Sequence, residues 1–195
     1  MTLAGTVDRE TQRIADGLRH RDIALLQALV EQYQYRLVRY LVYFTGRRDL
    51  VDDLVQETWL RVLERGGQYD GRSRFEPWLF TIARNLALDQ MRRRQVFSLD
   101  SNDDAEAGDG PLSPVAGGPS PFEQAARTED AQRIAAALET LGPIYREALV
   151  LRFQEDLSLQ EIAAVAGAPV TTISSRIHRG LAALRTQLEG GQHAE

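Results

Sequence analysis

The stretch SLQEIAAVAGAPVTTISSRIHRGLAAL, residues 158–184, decides the fold of the later part of the chain. Ser158 and Glu161 form an S-x-x-E capping box, which predicts the start of a helix because each side chain satisfies a backbone N–H of the other residue. Gly167 ends this short helix, and Pro169 opens the next one after a tight turn. Two helices joined by a short turn that contains glycine predict a helix-turn-helix.

The second helix of this motif, predicted over residues 171–188, has one apolar and one polar face. The apolar stripe follows helical spacing and consists of Ile173, Ile177, Leu181 and Leu184. A recognition helix enters the major groove with its first turns, so the polar side chains there are candidates for contacting bases and phosphates. These candidates are Thr171, Thr172, Ser174, Ser175, Arg176, His178 and Arg179. A solvated, arginine-dotted face is the alternative, but the capping box, the turn and the periodicity together favour DNA reading.

Helical periodicity extends over most of the chain, with almost no strand signal. Helices are predicted over residues 22–44, 50–65 and 75–94, and again over 122–141, 143–153 and 159–166. Between them, SLDSNDDAEAGDGPLSPVAGGPSP is rich in Asp, Gly, Ser and Pro and cannot bury a core. The sequence therefore predicts an all-α protein with two small helical domains, residues 1–97 and 122–195, joined by a flexible linker, residues 98–121.

Composition argues against several classes of protein. The 195 residues include no cysteine, which excludes disulfides and thiolate metal sites, and the three histidines are too scattered to form a helical ligand pair. We therefore expect no metal and no cofactor. No apolar run approaches the roughly 20 residues of a membrane helix, and no signal-peptide pattern is present. These features predict a cytoplasmic protein that does not insert into a membrane.

Charge is unevenly distributed along the chain, whose net charge is −5. Residues 1–97 carry a balance of +3, residues 98–125 one of −6, and residues 126–195 one of −2. All 23 basic side chains are arginines, which suit phosphates and guanine edges, although coding bias is an alternative explanation. Neither helical region is basic enough to predict tight DNA binding without a partner.

An acidic helix face is predicted in the second helix. Asp53, Gln56, Glu57 and Leu60 recur at i, i+3, i+4 and i+7, which indicates a face that docks on a basic partner. The alternatives are acids that complement the helix dipole, or a carboxylate pair, Asp52 and Asp53, in an enzyme. The enzyme is the weakest alternative, because no histidine, second carboxylate cluster or phosphate loop lies nearby in the sequence.

The stretch YDGRSRFEPWLFTIARNLALDQMRRR, residues 69–94, mixes aromatic residues, arginines and an asparagine. This mixture suits an unstacked base held beside a phosphate track. Four apolar residues of this stretch are expected in the core: Phe75, Trp78, Leu79 and Ile82. By contrast, Tyr69 and Asn85 are expected to be free to contact a flipped base. The arginines at positions 92–94 are expected to meet phosphate, with a favourable solvated helix end as the alternative.

Three segments resemble a known family. DDLVQETWLRVLE (52–64) and RFEPWLFTIARNLALDQMRRR (74–94) resemble region 2 of the extracytoplasmic-function (ECF) sigma factors, and residues 141–185 resemble their region 4. The similarity covers about residues 20–97 and 127–188. It implies an alternative sigma factor, a non-catalytic subunit that directs core RNA polymerase to promoters by reading −35 and −10 elements and helping to melt DNA. The implied partners are the polymerase β′ clamp helices and β flap, promoter DNA and an anti-sigma factor.

The resemblance also implies residue roles. The face of Asp53, Gln56, Glu57 and Leu60 would dock on the β′ clamp helices. The −10 element would be contacted by Tyr69, Arg84, Asn85, Arg92, Arg93 and Arg94, with Tyr69 and Asn85 at the captured base. The −35 element would be read by Ser174, Ser175, Arg176, His178 and Arg179. The chain departs from the common family pattern at Ser174, Gly180 and Asp156, where the family often has Lys or Arg, Ala, and Gly.

The reach of the linker supports a role on a scaffold. Major-groove contacts two helical turns apart lie roughly 70 Å from each other. The 24-residue linker spans at most about 80 Å when extended, but only about 27 Å as a relaxed coil.

The alternative function is a regulator that uses only the helix-turn-helix, with residues 1–97 as a dimerisation or sensing domain. Dependence on core polymerase distinguishes the two.

Overall fold

The computed structural model describes residues 4–100 and 129–190, with side chains described for residues 9–94 and 133–189. Within these ranges the chain forms helices and turns but no strand, which confirms the predicted all-α class. The helices are α1 (Ala4–Arg19), α2 (Ile23–Thr45), α3 (Val51–Arg65), α4 (Phe75–Asp100), α5 (Glu129–Glu139), α6 (Pro143–Leu149), α7 (Leu159–Ala166) and α8 (Val170–Gly190).

The predicted linker is only partly described. Helix α4 continues to Asp100, past the predicted domain boundary at residue 97. The rest of the linker, residues 101–121, and the first part of the predicted helix 122–141 lie outside the described residues. Below, α1–α4 are called the N-terminal half and α5–α8 the C-terminal half.

Helix α1 was not predicted from the sequence. Its inner face carries Thr11, Ile14, Ala15 and Leu18, all buried, and this i, i+3, i+4, i+7 spacing is the signal that reveals the helix. The next helix, α2, begins at an N-cap, because the Asp22 carboxylate accepts hydrogen bonds from the backbone N–H groups of residues 24 and 25.

Aromatic packing joins α2 to the start of α4. The rings of Tyr33 and Phe75 meet edge to face with centroids 5.3 Å apart, beside the buried Leu79. The core placement expected for Phe75 and Leu79 is confirmed, whereas Trp78 and Ile82 are only partly buried at its margin.

Tyr69 belongs to the same aromatic cluster, and the expectation that its side chain is free is wrong. Only 2% of Tyr69 is exposed, and its ring packs against Phe75 and Trp78 at 5.6 and 5.4 Å between centroids. Its hydroxyl donates a hydrogen bond to the carbonyl oxygen of Ser73, which closes the turn between α3 and α4. Burial, reinforced by the charge of Glu76, raises the pKa of this hydroxyl, which therefore remains a donor.

The helix-turn-helix forms as predicted. Ser158 and Glu161 make both hydrogen bonds of the capping box, at 2.7 and 3.3 Å. Gly167 adopts a left-handed conformation with φ of 60°, which a residue with a side chain adopts less readily, and so it ends α7.

The buried stripe of α8 differs from the predicted one by one position. Leu181 is 39% exposed, and the buried position is Gly180, where an added Cβ would lie 3.1 Å from Leu149 Cδ1 of α6. Ile173, Ile177 and Gly180 therefore face the core, because the missing side chain lets α8 approach α6 closely. The glycine that departs from the family pattern has a packing role.

A π-helical segment, Val150–Gln154, follows α6 and widens the turn before α7. The backbone N–H of Glu155 bonds to the carbonyl of Val150, and Asp156 then takes a positive φ of 52°. This turn directs the Glu155 side chain into the protein interior, where 1% of the residue remains exposed.

The two halves pack against each other: α2 contacts α6, and α4 contacts α7. A single apolar cluster runs through both halves, from Leu37 and Phe80 on one side to Leu151 and Ile162 on the other. Periodicity within each segment predicted none of this contact.

We expect Asp156→Gly to stabilise the protein, since glycine adopts a left-handed conformation without a Cβ penalty. The gain should be about 1 kcal/mol, or roughly 2–4 °C in Tm by thermal denaturation. The same change in a helix, Asp89→Gly on α4, should lower Tm instead. Equal effects at both positions would contradict the assignment of backbone strain to Asp156.

We expect Tyr69→Phe to destabilise the protein by about 1 kcal/mol, because the Ser73 carbonyl loses its donor while the ring packing stays. Tyr35→Phe, at an exposed position on α2, should leave the midpoint of urea unfolding unchanged. An unfolding midpoint for Tyr69→Phe equal to that of the parent protein would show that the Tyr69 hydroxyl does not secure the turn.

Candidate functional site

The acidic face of α3 lies on the surface. Val51, Leu54, Thr58 and Val62 anchor the helix in the core, so the opposite side points to solvent. Asp53 and Gln56 are exposed, and Glu57 is half-buried and pairs with Arg61 at 2.9 Å. Leu60 is 47% exposed and lies between these charged side chains on the face.

A cleft of about 540 Å³ separates this face from α4. All four candidates on α3 line it, and the far wall is formed by one face of α4 with the spacing i, i+3, i+4 and i+7. The α4 residues are Leu86, Asp89, Gln90 and Arg93. Sequence reasoning missed the first three, although their spacing was a visible signal.

The predicted −10 residues on α4 divide into two groups. Asn85 and the arginines at positions 92–94 are exposed. Two of these arginines make surface ion pairs, Arg92 with Asp89 at 2.9 Å and Arg94 with Asp49 at 3.2 Å, which water and salt weaken. They therefore remain accessible to a phosphate.

Tyr69 is buried, and the side chain of Arg84 is only 16% exposed. Arg84 Nε donates to the carboxylate of Glu147 at 2.7 Å, and its guanidinium lies over the ring of Phe44 at 5.5 Å. Its partner Glu147 belongs to the C-terminal half, so Arg84 faces the contact between the halves. The structure brings neither Arg84 nor the buried Tyr69 to the surface that carries Asn85.

The predicted −35 residues lie on the first turns of α8. Thr171, Ser175, His178 and Arg179 are exposed, whereas Thr172, Ser174 and Arg176 are partly buried. A cleft of about 370 Å³ joins several of them to the start of α6. Ile144 and Tyr145 form its other wall, and sequence reasoning did not include them.

No group of three or more His, Asp or Glu side chains positioned to bind a metal ion occurs in the two described ranges. In the same ranges, none of the helices combines the length and the apolar character needed to cross a bilayer.

Comparison with known proteins identifies both halves of the chain. Sigma-70 region 2 matches residues 29–96, and Sigma-70 region 4 matches residues 131–184. The chain is 31% identical to the ECF RNA polymerase sigma factor SigX of Bacillus subtilis, over 84% of this chain and 83% of the relative. It is 32% identical to the RNA polymerase sigma factor CarQ of Myxococcus xanthus, over 91% of this chain and 94% of the relative.

Two solved structures are similar over most of the chain. The sigma factor RpoE of Bartonella quintana, in complex with the anti-sigma factor NepR, matches 84% of this chain and 96% of its own, with a TM-score of 0.67 and 27% identity. CnrH, in complex with the cytosolic domain of CnrY, matches 92% and 97%, with a TM-score of 0.64 and 25% identity. The chain therefore belongs to the ECF sigma factors: it is an alternative sigma factor that directs promoter-specific transcription by RNA polymerase.

Proposed function

We propose that the α3–α4 cleft is the surface by which this sigma factor docks on the β′ clamp helices of core RNA polymerase. The observation that carries the proposal is the convergence of Asp53, Gln56, Glu57 and Leu60 on one cleft with the matching face of α4. An exposed leucine beside the carboxylates of Asp53 and Glu57 suits a docking centre, because the apolar side chain supplies buried area and the carboxylates favour a basic partner.

In this proposal α4 couples docking to promoter opening. The face that includes Leu86 and Gln90 lines the docking cleft, whereas Asn85 is exposed on the same helix. Asn85 contacts the unstacked base of the −10 element, and the arginines at positions 92–94 hold the neighbouring phosphates. Polymerase bound on the α3–α4 cleft then fixes the orientation of the helix that holds the melted strand.

The C-terminal half reads the −35 element in the major groove. Arg176 and Arg179 line the same cleft as the short side chains Thr171, Thr172 and Ser175. Arginine offers a two-pronged donor to guanine or phosphate, while the short hydroxyls permit close approach to the duplex. The capping box and Gly167 fix the angle of α7 to α8, which sets how the first turn of α8 enters the groove.

The chain acts as a non-catalytic subunit, in the cytoplasm where the polymerase works, with the N-terminal half as region 2 and the C-terminal half as region 4. The β flap of polymerase is the expected support for the C-terminal half. An anti-sigma factor is an expected regulator, because the similar chains RpoE and CnrH were solved with the anti-sigma factor NepR and with CnrY.

Asp53→Arg and Glu57→Arg should each abolish association with core polymerase, because they reverse charge on the proposed docking face. The measurement is co-purification with core enzyme, followed by in vitro transcription from a randomised promoter library. Glu31→Arg makes the same charge change at an exposed position on α2 and should bind normally. Normal binding by all three folded variants would refute the proposed docking surface.

Arg176→Ala should weaken promoter binding by about 1–3 kcal/mol and relax the preference at one −35 position. Holoenzyme binding to a set of single-base promoter variants measures both effects. The control is Arg185→Ala, a change at an exposed arginine near the other end of α8, which should leave base preference intact. If Arg176→Ala lowers the binding affinity equally for all promoter variants, Arg176 contacts phosphate and does not read a base.

A further inference from the structure

Two buried glutamates of the C-terminal half are held by side chains of the N-terminal half. Glu155, 1% exposed, accepts hydrogen bonds from Arg36 Nε at 2.7 Å and from Arg39 Nη2 at 2.8 Å. Glu147, 2% exposed, accepts from Arg84 Nε at 2.7 Å and from the Tyr40 hydroxyl at 3.0 Å. These six residues are called the polar seam.

Backbone acceptors extend the contact at both ends of the seam. Arg74 Nη1 donates to the carbonyl of Asp156 at 3.1 Å, from the N-terminal half to the turn before α7. Arg146 Nη1 donates to the carbonyl of Tyr43 at 3.2 Å, in the opposite direction. The seam therefore joins the halves through guanidinium groups along its whole length.

A polar seam is a reversible way to hold two domains together. Each carboxylate is costly to bury without its arginine, so the halves fit in one specific arrangement. When the halves separate, however, water solvates the arginines and glutamates again, so the intact ion pairs themselves add only a modest net free energy to the closed arrangement. The apolar cluster also stabilises the contact, but the charge pairs of the seam determine the orientation in which the two halves pack.

The closed arrangement cannot engage a promoter. Contacts to −35 and −10 elements are separated by roughly 70 Å along DNA, whereas here α4 and α7 touch, and Arg74 lies within hydrogen-bond distance of the turn before α7. In addition, Glu147 forms an ion pair with Arg84. Arg84 immediately precedes Asn85 in α4, the helix proposed to contact the melted strand. The glutamate takes the place that a phosphate would need.

We propose that the polar seam is an autoinhibitory latch, in which Glu147 and Glu155 hold the free chain closed until polymerase separates the halves. The latch rests on the family function of reading two promoter elements, and not on the residue roles proposed above for docking. Core polymerase binds the open form, so the closed population lowers its apparent affinity for the chain.

The distance between the halves tests the latch directly. The chain has no cysteine, so Gln32→Cys on α2 and Ala183→Cys on α8, both exposed, provide unique positions for spin labels or fluorophores. In the free protein, the labels should report one narrow distance distribution, because the closed halves hold α2 and α8 in a fixed arrangement. The double variant Glu147→Gln/Glu155→Gln should raise the open fraction at least about tenfold and lower the Kd for core polymerase by the same factor.

Matched variants distinguish the latch from general destabilisation. Arg36→Gln/Arg39→Gln should open the chain from the other side of the seam, and combining it with Glu155→Gln should add little further opening. Glu64→Gln removes one partner of an exposed ion pair within the N-terminal half and should leave the distance unchanged.

Two results would overturn the proposal. An unchanged distance in the seam variants, with circular dichroism showing that both halves remain helical, would show that the glutamates do not hold the halves together. Opening without any gain in affinity for core polymerase would show that closure does not inhibit. Failure of the docking proposal alone leaves the distance measurement unaffected, so the two can be separated.

Discussion

Burial of two carboxylates is the constraint on which the arrangement of the whole molecule depends. Glu147 and Glu155 lie away from water, and an ionised carboxylate in that position requires cations and donors around it. The C-terminal half does not supply them: Arg36, Arg39 and Arg84 all come from α2 and α4. Satisfying these charges therefore places the two halves against each other in a defined orientation.

In this arrangement, some of the candidate functional residues lie at the surface, and others lie in the contact between the halves. The acidic face of α3, Asn85 on α4 and the first turn of α8 remain at the surface of the closed molecule. Arg84 instead points into the polar seam. In this form the α3–α4 cleft lies at the surface, whereas Arg84, one of the proposed −10 contacts, is paired with Glu147. The weak overall charge of the two helical regions is consistent with dependence on core polymerase.

Local backbone features support the long-range contact. The π-helical segment after α6 and the left-handed Asp156 turn the chain so that Glu155 points inward, towards α2. Gly180 lets α8 lie close to Leu149, which places α6 and α8 together as one unit. Features that look like departures from a regular helix, or from the family pattern, therefore position the residues that meet the other half.

The sequence by itself determined the helices after α1, the capping box of Ser158 and Glu161, the exposed acidic face of α3 and the polar side of α8, because these depend on spacing within a single segment. Tertiary structure decided the burial of Tyr69, the exposure of Leu181 and the pairing of Arg84 with Glu147. Each of these depends on which segment packs against which, and the residues that pair across the seam lie up to 119 positions apart. Periodicity reports which side of a helix is apolar, but not which distant charge will neutralise a buried carboxylate.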